Sequence, residues 1–150
     1  MDAPVALSLI SPTVALLVAV WGFRRSRRSD KLRAFFEIQD RYLSPEVRDG
    51  RRIVHRSLAG LSASEMDAVD KDERDRASYA LAVMNSIAIG CQGGYVDRSM
   101  VKENMGRSFV TTVRAAREFI DYLEKTRGFR PYGAAEKLAV SLDSGAGGRT

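Results

Sequence analysis

Cysteine and histidine are nearly absent, with one of each in 150 residues. A lone cysteine excludes a disulfide-stapled scaffold. One cysteine with one histidine excludes the usual zinc centres, which draw their ligands from those two residue types. Catalysis by a histidine-activated nucleophile has only His55 to work with, and no orienting partner stands near it in sequence. Long stretches of alternating apolar and polar residues are also missing, so strands are not expected. Hydrophobic residues at 45% and charged residues at 29% exclude a wholly disordered chain. The length allows one domain plus a short appendage.

Positive charge is in excess, 24 bases against 19 acids, but it is not spread. Residues 24–33, RRSRRSDKLR, hold six bases and one acid. Residues 34–150 hold 18 bases and 17 acids and are nearly neutral. A nucleic-acid-binding domain distributes Lys and Arg over a folded face. The concentration in ten residues therefore points away from nucleic acid.

Ahead of the basic run lies the one long apolar stretch, APVALSLISPTVALLVAVWGF, 21 uncharged residues from Ala3 to Phe23. As a helix it would span about 31 Å, close to the roughly 30 Å thickness of bilayer hydrocarbon. Trp21 stands at its end, where an aromatic sits among lipid headgroups, and Arg24, Arg25, Arg27 and Arg28 follow as a basic stop. A cleavable signal peptide needs the reverse order, bases first and small residues last. The expectation is a single membrane-spanning helix with its N-terminus outside and the following domain cytoplasmic. Pro12 would either kink this helix or start it, with Ser11 as cap. Ser11, Ala15 and Ala19 recur at intervals of four and suit a close helix–helix contact, hence self-association.

The rest reads as helices. Residues 30–43 place Leu32, Phe35, Phe36, Tyr42 and Leu43 at helical spacing, with no breaker separating them from the apolar stretch. Ser44-Pro45 starts a second helix with Val47, Val54 and Leu58 on one face, ending near Gly60. A polar stretch, 62–70, opens a new element, with Asp67 or Asp70 as candidate cap. A helix from Lys71 to about Cys91 puts Tyr79, Ala80, Val83, Met84, Ile87 and Cys91 on one side, and Gln92-Gly93-Gly94 stops it. Asp97 caps a long helix running to about Arg127, ended by Gly128, and a short helix follows Pro131. Ala77–Val96 is a second uncharged stretch, 20 residues long, but Asn85, Ser86 and Gln92 suit a buried helix better than a span. The domain organisation expected is an anchor over residues 1–28, a cytoplasmic bundle of four or five helices over 29–140, and a frayed tail over 141–150.

No catalytic, cofactor-binding or metal-ligating set emerges. Glu65, Asp67, Asp70, Asp72, Glu73 and Asp75 lack the spacing of a calcium loop and are interleaved with Lys71, Arg74 and Arg76. They read as a solvated helix start complementing the helix dipole. Cys91 reads as a buried, inert thiol. Gly145–Gly148 lacks the lysine and the strand of a phosphate loop. Asn85 alone interrupts an apolar helix face and needs buried partners.

The layout resembles an uncharacterised bacterial domain family of small proteins with one N-terminal span and a helical cytoplasmic domain. The resemblance rests on Arg76 spaced from Asn85 as R-x8-N, on the GGYVD turn at Gly93–Asp97, and on a long helix carrying Arg114 and Arg117 that ends before Gly128-Phe129. It covers roughly residues 5–139 and implies an anchor-plus-bundle layout without a catalytic residue. The function expected is a membrane-anchored, non-catalytic protein-interaction module. Its partners would be the lipid bilayer and a protein partner or a second copy, with no nucleic acid and no small-molecule substrate. The alternatives are a membrane-surface enzyme whose site converges only in space, and a soluble subunit docking its apolar helix into a larger complex.

Overall fold

In a computed structural model, the chain is described over residues 3–144, with side-chain surroundings for 14–23 and 25–144. Among the described residues it is all α: α1 (Ala3–Leu43), α2 (Pro45–Ile53), α3 (Ala63–Ala68), α4 (Lys71–Gln92), α5 (Arg98–Ala115), α6 (Arg117–Arg127) and α7 (Gly133–Asp143). A π-helical turn, Val54–Leu58, extends α2.

The expected membrane span is not found. Among the described residues no helix is long and apolar enough to cross a membrane. The reason lies in α1 itself. It is one 41-residue helix that passes through Pro12 and on through the basic run to Leu43, so it does not start at Pro12. Its uncharged part ends at Phe23. The next turn already carries Arg25, Arg27 and Arg28. The picture of an anchor leading into a bundle of four or five helices is therefore replaced. One long helix projects from a body made of its own C-terminal part and six further helices. Ala77–Val96 is no second span either: most of it is α4, whose Ala80, Leu81, Met84, Ile87 and Ala88 are buried in that body.

Helix α4 is central and packs against α2, α7, α1 and α5, while α3 leans on α6. The α2–α4 crossing depends on Gly50. A Cβ there would lie 2.3 Å from the Arg76 carbonyl oxygen and 2.7 Å from Ala80 Cβ, so only glycine permits so close an approach. Local chemistry sets most boundaries. Ser44 Oγ accepts from Val47 N and Pro45 opens α2. Ser62 and Glu65 form a capping box on α3, and Asp70 rather than Asp67 stands at the start of α4. Asp97 accepts from Ser99 N at 2.8 Å. Gly60, Gly94 and Gly128 adopt positive φ at the chain reversals.

Two expectations need correction. The long helix expected from Asp97 to Arg127 breaks at Ala116, whose N–H turns to Arg114 O as well as Thr112 O. Ala116 is fully buried, and the bend brings α6 onto α3. On α1, Phe35 and Tyr42 are buried, but Leu32, Phe36 and Leu43 stay 39%, 57% and 46% exposed. The core meets a narrower stripe of α1 than its apolar pattern offers. Tyr79 of α4 likewise turns outward.

Candidate interaction surface

The N-terminal half of α1 is the anomalous surface of the molecule. Leu16, Leu17, Val18, Trp21 and Phe23 are each 61% to 72% exposed, and Val14 and Val20 are also uncovered. Successive helical positions are exposed, so these side chains point in every direction around the axis rather than forming one face. A helix apolar all round is normally enclosed by other structure. Ala15 and Ala19, the expected helix–helix contacts, lie exposed one turn apart on this segment, and the Ser11 side chain lies outside the described residues. Of the expected interface residues, Trp21 and Arg25 meet in a cation–π contact of 5.5 Å. Arg27 and Arg28 are exposed, and Arg24 lies outside the described side chains.

The base of the same helix is held by polar contacts. The Tyr42 hydroxyl donates to Ser108 Oγ at 3.0 Å, and Arg51 Nη1 donates to the same oxygen at 2.7 Å. The Arg51 guanidinium stacks over the Tyr42 ring at 4.0 Å, and its Nε is buried without a hydrogen-bond partner. This cluster joins α1, α2 and α5. Sequence reasoning missed it, because Arg51 and Ser108 lie 57 positions apart and belong to no motif.

Asn85, expected to need a buried partner, accepts a hydrogen bond from Ala135 N at 3.1 Å. Its amide oxygen thereby satisfies one of the free N–H groups at the start of α7. Beside it, Tyr132 sits in the left-handed region at φ 61°, and its hydroxyl donates to Ser78 O at 3.1 Å. Two side-chain bonds thus fix α7 against α4 and stabilise a backbone conformation unusual for tyrosine.

The remaining candidates are dispersed. His55 is exposed, with Nε2 3.2 Å from Thr112 Oγ1. Cys91 is half-buried, and burial pushes its thiol pKa up, away from the reactive thiolate. Four of the six acids of 65–75 are spent on structure. Glu65 caps α3, Asp67 accepts from the Tyr122 hydroxyl at 2.6 Å, Asp72 pairs with Arg76, and Asp75 with Lys71. Among the described residues, no three His, Cys, Asp or Glu side chains gather to hold a metal. Arg130 instead gathers acids, pairing with Glu136, Asp121 and Glu124, and its guanidinium pKa is raised chiefly by Glu136.

A family model described as a domain of unknown function, DUF4760, matches residues 9–141. No curated protein and no solved structure matches the chain. The matched range takes in both the projecting half of α1 and the body through most of α7. The resemblance to an uncharacterised domain family therefore holds, without the membrane span that it implied. Covering most of the chain from the apolar segment to the last helix, the match establishes that this protein belongs to the DUF4760 family.

Proposed function

We propose that the chain is a non-catalytic interaction module that assembles with further copies of itself through the N-terminal half of α1, the helical body serving as a rigid mount. The observation that carries this reading is the all-round exposure of Val14, Leu16, Leu17, Val18, Trp21 and Phe23. Burying one such side chain stabilises an assembly by roughly 1.5–3 kcal/mol. Several together outweigh the cost of bringing copies together. Charge selects the arrangement. Parallel copies would set the basic runs of residues 24–33 side by side, and like charges at that distance repel. An antiparallel arrangement places apolar segment against apolar segment and sends the basic runs to opposite ends. Small Ala15 and Ala19 allow two helices to approach closely within it.

Sedimentation of the full chain over a range of concentrations tests this. The expected result is a concentration-dependent dimer or higher oligomer, reduced to a monomer of unchanged helical content by Val18→Glu with Trp21→Glu. A monomer at every concentration would overturn the proposal. A monomer that pellets with anionic vesicles would also overturn it, by giving α1 a lipid surface instead of a second copy.

A further inference from the structure

Where α1 passes the turn between α4 and α5, an open groove of about 850 Å³ remains. Arg27, Arg28 and Lys31 line one wall, and Gly93, Gly94 and Tyr95 the other. Asp30 is the one carboxylate in the lining, so the walls carry a net charge of +2. Asp30 already accepts a 3.5 Å hydrogen bond from Ser26 Oγ. Arg27, Arg28 and Lys31 form no ion pair or hydrogen bond with any described residue. Arg33, by contrast, is within ion-pair distance of Glu37. Asp97, close enough for Lys31 to lower its carboxyl pKa, is engaged by both the hydroxyl and the N–H of Ser99.

The opposite wall is a hydrogen-bonded turn. Tyr95 N and Val96 N both donate to Gly90 O, at 3.0 and 3.2 Å, and Val96 is buried beneath the turn. Gly94 is left-handed and offers no side chain. A Cβ on Gly93 would lie 2.7 Å from two ring carbons of Tyr95, so the ring sits close against Gly93 in space that only glycine leaves open. It nevertheless remains 74% exposed. An aromatic ring is thus held across a groove from three cations that one carboxylate, Asp30, offsets only in part.

We propose that this groove binds a phosphate-bearing anion of about nucleotide size. Arg27, Arg28 and Lys31 take the phosphate oxygens, and a planar group lies on Tyr95. Guanidinium forks match phosphate oxygens in geometry as well as charge. Exposed aromatic rings stack planar heterocycles of any identity. The volume falls in the range of small-molecule sites, roughly 300–1,000 Å³. The near-neutral balance of residues 34–150 favours a small ligand over a nucleic-acid duplex, which would need a broader basic face. This inference does not rest on self-association, since the groove uses residues 27–34 and the α4–α5 turn alone.

Calorimetric titration of the full chain at low salt, with ATP, inorganic tripolyphosphate and glycerol phosphate as probes, tests it. ATP and tripolyphosphate are expected to bind, and Arg28→Ala with Lys31→Ala to weaken both by about tenfold or more, the equivalent of one to two lost ionic contacts. Tyr95→Ala is expected to weaken ATP by about fivefold or more and to leave tripolyphosphate unchanged. Arg114→Ala with Arg117→Ala, on another face, serves as the control and should change neither. The substituted side chains are exposed, and circular dichroism verifies the folds. No heat with ATP or tripolyphosphate at millimolar concentration overturns the site. Binding indifferent to the Arg28 and Lys31 changes overturns it equally. Glycerol phosphate binding more tightly than ATP would support phosphate recognition with a lipid headgroup as source, and would overturn the planar group on Tyr95.

Discussion

Both halves of α1 carry large apolar and aromatic side chains, and these meet different fates. Towards its C-terminus, Phe35 and Tyr42 are 2% exposed; towards its N-terminus, Trp21 and Phe23 are 62% and 72% exposed. Hydrophobicity alone would bury the uncharged N-terminal half first, since residues 30–43 carry six charged side chains. What separates them is partners. Tyr42 has Ser108 and Arg51 across the interface, whereas the polar partner of Trp21 among the described residues is Arg25 of its own helix. Burial in this chain is decided by which turns of α1 the other helices reach. The apolar surplus beyond their reach is what the assembly proposal rests on.

That contrast can be broken most sharply with one residue type in two places. Phe109→Ala, in the core, should cost about 3–5 kcal/mol in urea unfolding. Phe23→Ala, measured where the chain is monomeric, should stay within about 0.5 kcal/mol of the parent. A comparable loss at Phe23 would mean that the arm is part of the folded body. Gly50→Ala comes next. The overlap with Arg76 O must push α2 from α4, at a cost of about 1–3 kcal/mol, with self-association through the distant arm unchanged in sedimentation. Asn85→Ala leaves Ala135 N–H without its acceptor and should cost about 1–2 kcal/mol, while Asn85→Asp, which keeps an acceptor, costs less.

Acid gives the smallest effect. Asp97 has its carboxyl pKa lowered by the Ser99 hydroxyl and N–H, and Glu65 by those of Ser62. A carboxylate with a depressed folded-state pKa contributes stability that is present above its unfolded pKa and lost as pH falls through the folded value. Melting temperature should therefore hold from neutrality down to about pH 4 and decline below it. Asp97→Asn, a neutral cap, should flatten part of that decline; an unchanged acid profile in the variant would remove Asp97 from the account.

Helix boundaries were the legible part of the fold, because their causes are local. Ser44-Pro45, Asp97 and the glycines at 93, 94 and 128 act within one turn of themselves, and a sequence displays that. The break at Ala116 was not legible, since no glycine or proline marks it and its cause is the packing of a buried alanine. The exposure of Phe36 and Leu43 was hidden for a related reason: an apolar pattern tells which side chains could be buried, not which have a neighbour. The misread span has the same root, because a run of uncharged residues fixes neither where a helix starts nor how far it continues past its apolar part. Of the interaction surface, the residues of the arm and the basic run could be named in advance. The groove could not, since it needs Tyr95 brought opposite Arg28 across about two-thirds of a hundred positions of chain.

The rooting of α1 also has a mechanical consequence. Its grip on the body lies between Phe35 and Tyr42, and Val14 stands 21 residues further out. At about 1.5 Å per residue the distance out to Val14 is about 32 Å, so a tilt of about 10° at the root moves Val14 by about 5–6 Å. The helix is a lever with a short inner arm and a long outer one. A displacement at the Arg51–Ser108 contact too small to disturb the core is magnified at Val14 into one comparable with a whole helical turn of about 5.4 Å, and a load applied there returns to that contact as torque.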